Sequence, residues 1–281
     1  MNGLNALVSM GAMGLAFGLS LGVASKKFAV NSDPRADAIL AVLPAANCGG
    51  CGYPGCAGLA AAIAEGKAPV DKCPVGKAAV ARQVAKIMGV EASGEMEPKY
   101  ARVLCLGSHE ASPNVAEYAG IHDCRAAMLS GGGVKGCTYG CLGLGSCVSA
   151  CPFDAMYMGA DGLPRVLDEA CTGCGKCVAA CPRSLIQLRT KSQSVNVVCR
   201  SHDRGPDVKK VCSAGCIACG ICVKNCPEKA ISMDGNVAVI DQSKCTRCGV
   251  CMEKCPVKCI RNMPDGVRAE CPKADKVEAT A

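Results

Sequence analysis

Cysteines in the order C-x2-C-x2-C-x3-C, the last followed by proline, occur at Cys171, Cys174, Cys177, Cys181 and Pro182, and again at Cys245, Cys248, Cys251, Cys255 and Pro256. Altered forms of the run precede each of them. Three thiolates this closely spaced wrap three corners of one iron–sulfur cube, while the fourth, turned away by its proline, ligates a different cube. A single run would also suit a zinc site. Several runs ending in Cys-Pro constrain the chain to fold around inorganic clusters, in pairs.

The rest of the composition agrees. Among 281 residues there are 26 cysteines, no tryptophan and only 3% aromatic residues. So few large rings build weak cores, which leaves clusters to supply packing and cross-linking. A disulfide-rich secreted scaffold is the alternative for so many cysteines, but such scaffolds do not repeat this spacing. Iron ligation implies a reducing compartment. The formal charge of +7 counts cysteines as neutral. Five clusters at about −2 each bring the loaded chain to roughly −3, because metal-bound thiols are deprotonated. The basic balance therefore points to no nucleic acid.

Residues 6–24 are all apolar, glycine or serine, and the first charge after Met1 is Lys26. A membrane-spanning helix needs about 20 such residues, and a cleaved signal would begin with a basic segment. The expectation is an uncleaved single-pass anchor over 1–27 in the inner (cell) membrane. Lys26, Lys27 and Arg35 follow the apolar run, which puts the large domain on the cytoplasmic side. Gly14, Gly18 and Gly22 recur every fourth residue, a spacing that lets another membrane helix approach closely.

A four-cysteine module is expected over 31–90. Asp33-Pro34 has the capping carboxylate and first-turn proline of a helix start. Ala36, Ile39, Leu40 and Leu43 then form one apolar face. Asn47-Cys48-Gly49-Gly50-Cys51-Gly52-Tyr53-Pro54-Gly55-Cys56 follows, and later Cys73-Pro74, giving C-x2-C-x4-C-x16-C. Zinc motifs more often pair two C-x2-C knuckles; three clustered cysteines and a distant fourth suit one cubane. Helical stretches over 57–65 and 75–88 end at Gly66 and Gly89, and 91–99 reads as a linker.

Beyond it lies an internal repeat. Cys137, Cys141, Cys147, Cys151-Pro152 and the run 171–182 reappear 74 or 75 positions later as Cys212, Cys216, Cys222, Cys226-Pro227 and the run 245–256. Between the cysteine runs each copy has a hairpin, 155–158 with 164–167 and 230–233 with 237–240, the second turning at Asp234-Gly235. Each copy reads as a two-cluster bacterial ferredoxin unit, over 98–190 with an insertion and over 191–281. The fold class is therefore α+β: a single transmembrane helix, a small helical four-cysteine module and two tandem ferredoxin-like units.

The crossing rule assigns ligands. Cys216, Cys219, Cys222 and Cys255 hold one cluster of the second copy, and Cys245, Cys248, Cys251 and Cys226 the other. Cys171, Cys174, Cys177 and Cys151 hold the regular cluster of the first copy. Its companion is irregular, because Leu144 stands where the repeat demands the counterpart of Cys219. Cys137 is the natural substitute, joining Cys141, Cys147 and Cys181; three cysteines around an open iron is the alternative. Cys105, Cys124, Cys199 and Cys212 either hold a sixth cluster between the halves or are buried thiols. Cys259 and Cys271 are read as unliganded.

His109 and His202 follow Cys105 and Cys199 at matching places and suit hydrogen bonding near a cluster better than iron ligation. The glycines of 131–136 lack the spacing and Lys-Ser/Thr end of a phosphate loop, and read as a turn that lets Cys137 reach iron. Lys209 and Lys210 suit a solvated face. No dinucleotide fingerprint and no general acid or nucleophile is evident, so nicotinamide or flavin chemistry belongs to another chain.

A glycine-rich apolar anchor, the Asn47–Cys56 module, and ferredoxin units carrying Tyr139-Gly140-Cys141-Leu142-Gly143 and Cys151-Pro152-Phe153-Asp154-Ala155 come in an order that resembles the B subunit of the Rnf complexes. The resemblance covers nearly the whole chain and is to the longer type, with a second ferredoxin unit. It implies an electron-transfer subunit of an ion-translocating oxidoreductase. Reduced ferredoxin is the implied donor, membrane and flavin/NAD subunits are the implied partners, and Na+ or H+ export is coupled to NAD reduction elsewhere. Other classes are an electron-input subunit for a different membrane acceptor, such as a regulator-reducing complex, and an iron–sulfur sensor. A sensor would carry a DNA- or signal-binding domain, and none accompanies these clusters.

Overall fold

The computed structural model describes residues 3–27, 33–91 and 97–263. Helix α1 (Gly3–Lys27) carries its only charges, Lys26 and Lys27, in its last turn. Its portion Val8–Lys27 is long and apolar enough to cross a membrane, about 30 Å at the helical rise. Leu15, Phe17 and Leu21 on this helix are about two-thirds exposed, at 66%, 65% and 69%, so the other described residues do not cover the span. Gly14, Gly18 and Gly22 have open space beside them.

Three helices build the next segment. In α2 (Pro34–Val42) the Asp33 carboxylate accepts the Arg35 N–H at 2.8 Å, satisfying one orphan donor of the first turn. Helix α3 (Gly55–Ala64) follows the cysteine-rich loop, and α4 (Lys77–Met88) ends at the left-handed Gly89. Ile39, Leu43, Leu59, Ile63 and Val84 form the core, with Cys51, Cys56 and Cys73 against its edge.

Two units of matching topology come next. The first runs β1 (Lys99–Val103), α5 (Cys124–Leu129), α6 (Ser146–Ser149), β2 (Met156–Met158), β3 (Pro164–Val166), α7 (Lys176–Ala180) and β4 (Ile186–Thr190). The second runs β5 (Val195–Val197), α8 (Gly205–Val211), α9 (Ile221–Lys224), β6 (Ile231–Asp234), β7 (Val237–Ile240), α10 (Val250–Lys254) and β8 (Ile260–Asn262). In each, the outermost strands pair antiparallel, Lys99 opposite Thr190 and Val195 opposite Asn262, and the inner strands form a hairpin. Each unit has its own core, Ala101, Met156 and Ile186 in one, Val195, Ile231 and Ile260 in the other, and cysteines are part of both.

Two backbone devices recur four times. The one-turn helices α6, α7, α9 and α10 each start from a left-handed glycine: Gly145, Gly175, Gly220 and Gly249, with φ between 66° and 85°. Each of these helices bears the third cysteine of its run near its start. A Cβ is unfavourable in that conformation, which is why glycine stands two residues before the third cysteine. Asp154, Ser184, Lys229 and Lys258, two residues after each Cys-Pro proline, are also left-handed, at φ 49–50°. The turn they make aims an amide back at sulfur: Leu185 N–H donates to Cys181 Sγ at 3.4 Å and Ala230 N–H to Cys226 Sγ at 3.3 Å.

Arg102 of β1 is buried and grips Asp168, which follows β3, through two hydrogen bonds, the longer 2.7 Å. It ties the outer strand pair to the hairpin. Arg102→Ala leaves Asp168 without its cation. We expect a loss of roughly 2 kcal/mol, below the range for a fully buried pair because Asp168 stays 22% exposed. Denaturant unfolding of the iron-loaded chain checks it.

Candidate metal centres

The cysteines gather into cavities lined otherwise mainly by apolar side chains and backbone. Cys151, Cys171, Cys174 and Cys177 line one, with Ala101, Phe153 and Leu188. Cys226, Cys245, Cys248 and Cys251 line another, with Val195, Pro227 and Ile231. Both sets are the ones expected from the crossing rule. Cys216, Cys222 and Cys255 are buried in the second unit's core, and Cys219 lies close enough to bear on the Cys222 thiol. In the first module Cys51 and Cys56 lie against Cys73, whose sulfur accepts the Gly76 N–H at 3.4 Å. Asn47 braces that loop by accepting the Cys56 N–H at 2.8 Å.

These sites fit a polynuclear iron–sulfur group. The cavities of the ferredoxin units collect four soft sulfur donors, and the first module brings Cys51, Cys56 and Cys73 together, the donor type such clusters need. Backbone N–H groups point at several of the sulfurs, which favours thiolate over thiol. Burial drives the Cys147 and Cys177 thiols up to about 12 and Cys141 and Cys222 up to about 11. Without iron these positions hold neutral thiols.

The irregular site differs from expectation. The cavity lined by Cys141, Cys147 and Cys181 takes Cys124, not Cys137, as its fourth cysteine. The segment between Cys105 and Cys137 is much longer than its counterpart between Cys199 and Cys212, and the excess builds α5, which begins with Cys124. Asp123 caps α5, accepting the Arg125 and Ala126 N–H groups. The Ser146 hydroxyl accepts the Cys124 N–H at 2.7 Å and donates to Asp123 at 2.9 Å, while Arg125 donates to the Ala179 carbonyl at 2.8 Å. The insertion thus docks on α6 and α7 and carries Cys124 to the gap that Leu144 leaves. Cys137 faces the other way, into a cavity with Cys105, Cys199 and Cys212. The expected set Cys105, Cys124, Cys199 and Cys212 is corrected by the same exchange.

Cys259, read as unliganded, is buried 3.7 Å from Cys255 Sγ and hydrogen-bonds Cys216; that bond pulls the Cys216 thiol down to about 6 and pushes Cys259 up. Cys271 lies outside the described residues. His109 and His202 do not line the cysteine cavities. His109 packs on Gly162 of the first hairpin, and its backbone N–H donates to the Asp161 carbonyl at 3.0 Å. His202 packs on Gly235 of the second hairpin and stacks obliquely on Tyr139, ring centres 5.6 Å apart. Lys210 is solvated and pairs with Asp207 at 3.0 Å.

The centres form a row. Gly50, between Cys48 and Cys51, rests on the backbone of Cys174, so closely that any side chain there would collide. Cys177 is near enough to Cys147 to raise its thiol. Cys141 N–H donates to Cys105 Sγ at 3.4 Å, and Cys216 N–H donates to the Cys199 thiol. Cys219 and Cys248 are exposed, whereas the other described cysteines are half-buried or buried. The far end of the row is therefore its open end.

Family comparisons agree with the distribution of cysteines. An Fe-S cluster family model matches residues 43–75, and models of 4Fe-4S dicluster domains match 135–186 and 215–259. The chain is 52% identical over 235 residues to the B subunit of the Na(+)-translocating ferredoxin:NAD(+) oxidoreductase complex of Acetobacterium woodii, covering 84% of this chain and 70% of that one. It is 50% identical over 238 residues to the B subunit of the proton-translocating counterpart in Clostridium ljungdahlii, covering 84% of each. It is 46% identical over 241 residues to the B subunit of the ion-translocating oxidoreductase complex of Methanosarcina acetivorans, covering 86% of this chain and 91% of that one.

Proposed function

Since this chain belongs to the family of B subunits of ion-translocating oxidoreductase complexes, we propose that it carries electrons from reduced ferredoxin through a row of [4Fe–4S] clusters toward the membrane subunits that reduce NAD and export Na+ or H+. The single observation that carries the reading is the unbroken row of cysteine sites, from exposed Cys248 to the module that follows the candidate membrane span. In our reading the large domain lies on the cytoplasmic side.

Five sites belong to this proposal. Their ligands are Cys48, Cys51, Cys56 and Cys73; Cys151, Cys171, Cys174 and Cys177; Cys124, Cys141, Cys147 and Cys181; Cys216, Cys219, Cys222 and Cys255; and Cys226, Cys245, Cys248 and Cys251. When bound, each cluster supplies reversible one-electron storage. The chain holds the sites in sequence, keeps water off the inner ones, and tunes them with N–H groups aimed at sulfur, as at Cys181 and Cys226. No residue is required to move a proton.

Electrons arrive, in this proposal, at the second ferredoxin unit and leave from the four-cysteine module. Exposure of Cys219 and Cys248 supports this, as does exposed Arg247 beside Cys248; Lys244, Lys254 and Lys258 are also exposed on this unit, interspersed with Glu228 and Glu253. Lys244 partly pairs with Asp241, at 3.7 Å. Such a rim steers an acidic redox partner. Reversing Arg247 and Lys254 to glutamate is expected to lower the rate of ferredoxin-driven NAD reduction at limiting ferredoxin by on the order of tenfold. The salt dependence should flatten, and the rate with a small neutral donor should not change. Membrane vesicles holding the whole complex are the assay. An unchanged rate with ferredoxin would place the donor elsewhere.

A further inference from the structure

We propose that Arg183 sets the reduction potential of the irregular site, making the group held by Cys124, Cys141, Cys147 and Cys181 easier to reduce than its copy in the second ferredoxin unit. Electrons that enter at the second unit then run downhill into the first. The inference deepens the relay reading above and rests on it for the clusters and their ligands.

Arg183 follows Cys181-Pro182, is half-buried, and lines the cavity of the irregular site. Backbone carbonyls clamp its guanidinium. Nη1 donates to the Cys137 carbonyl at 3.1 Å and to the Gly140 carbonyl, and Nη2 donates to the Gly132 carbonyl. Gly131, Gly132 and Gly133 all have positive φ, between 84° and 124°, a conformation that side chains disfavour. A side chain at Gly133 would also collide with Leu142, and its first carbon would lie 3.7 Å from Arg183 Nη2. The glycine-rich turn before Cys137 thus cradles an arginine.

That arginine is left with charge and a donor to spare. Among the described residues no carboxylate pairs with it, and its buried Nε–H has no acceptor. A guanidinium is always charged, and three carbonyls offer it dipoles but no net charge. An orphaned buried donor and an unbalanced cation both call for an anion in the adjoining cavity. Cys141 and Cys181, two ligands of the site, are among the groups its charge acts on. Four thiolates around a [4Fe–4S] core carry about −2 when oxidised and about −3 when reduced. A fixed cation favours the more negative, reduced form, and a hydrogen bond to sulfur acts in the same sense.

The repeat supplies an independent comparison. Cys181 corresponds to Cys255, so Arg183 corresponds to Val257, which packs on the core of the second unit. Lys135 likewise corresponds to Lys210. Lys210 is solvated and paired with Asp207, whereas Lys135 is 5% exposed, donates to the Gly107 carbonyl and acts on the Cys141 thiol. Asp123 and Arg125, where the insertion docks, lie close enough to offset one another. Two cations without carboxylate partners therefore bear on the irregular site. Their counterparts in the second unit are a valine and a paired lysine. One electron passes between the units, no bond breaks and no proton moves.

The test is redox potentiometry followed by EPR on the full-length chain, purified with its iron and without oxygen. A unit charge about 10 Å away, at an effective dielectric of about 20, shifts a one-electron equilibrium on the order of tenfold. Arg183→Met should keep its iron and make one EPR component harder to reduce by that factor, about 59 mV for one electron. Arg183→Lys, which keeps the charge and gives up the planar fork, should recover most of the shift. In the unmodified chain, the component altered by Cys124→Ser should be reduced at a higher potential than the one altered by Cys219→Ser. That comparison decides the matter if the Arg183 variants fail to hold iron. Equal or inverted potentials there, or a fully iron-loaded Arg183→Met with no component moved, would overturn the proposal and leave the relay standing. An unmodified chain without stoichiometric iron, or iron-loaded membranes that fail to reduce NAD from ferredoxin, would sink the relay reading instead.

Discussion

Replacing Cys48 with alanine is expected to bring ferredoxin-driven NAD reduction in membranes down to background, while ferredoxin still reduces the clusters of the second unit. Cys48 opens the loop whose Gly50 lies on Cys174, and in the proposed relay it ligates the last site before the anchor. With an incomplete cluster there, electrons reach the site of Cys174 and have no nearby place to go. No acid, base or nucleophile is replaced, so the effect comes from interrupting a path. Two readouts separate this from misfolding. EPR on the ferredoxin-reduced variant should retain the signals of the distal clusters, and the complex should still assemble. Normal NAD reduction by this variant would show that electrons leave from another site or run in the opposite direction.

Stripping the iron is expected to cost most of the strand structure of both ferredoxin units and to leave the apolar helix α1 intact. The outer strands are short, three residues in β5 and β8, and both unit cores include cysteine sulfurs. No tryptophan is available to replace them. Metal ligation and folding are then one equilibrium. Far-UV circular dichroism before and after oxidative chelation, followed by reconstitution, measures it; a native-like spectrum without iron would contradict it. Proton balance gives the pH dependence. An exposed thiol is protonated at neutral pH, with a pKa of about 8.5, and burial holds Cys147 near 12 and Cys141 near 11, so the iron-free chain binds protons that the loaded chain does not. Reconstitution near neutral pH should release up to about four protons per cluster, fewer where a thiol such as Cys216 is already ionised, and occupancy should fall as the pH falls.

Much of the grouping of cysteines into cavities was legible in their spacing. The set Cys151, Cys171, Cys174 and Cys177 and the set Cys226, Cys245, Cys248 and Cys251 each line one cavity, as crossing of the Cys-Pro cysteine requires. Hairpin and helix positions followed from alternation and capping, with small shifts. The second hairpin turns at Gly235 and Asn236, not Asp234 and Gly235, because Asp234 remains paired with Val237.

The exchange of Cys124 and Cys137 was less legible, because nearness in sequence suggested Cys137 for the place of Leu144. A signal was nevertheless present in the repeat. Cys137 has a copy, Cys212, in a unit whose own clusters are already complete without it, so the two copies had to serve something else together. Cys124 has no copy and lies in the insertion, as a residue that repairs a defect peculiar to one unit would. The left-handed residues after each Cys-Pro turn were not legible, since an aspartate, a serine and two lysines stand there, Asp154, Ser184, Lys229 and Lys258, with no side-chain chemistry common to all four.

The cavity that draws two cysteines from each unit also has a bearing on assembly. Its lining, Cys105 and Cys137 from one unit and Cys199 and Cys212 from the other, exists only when both halves are folded and docked. Neither half presents the four sulfurs alone, so whatever that cavity does is a property of the finished chain.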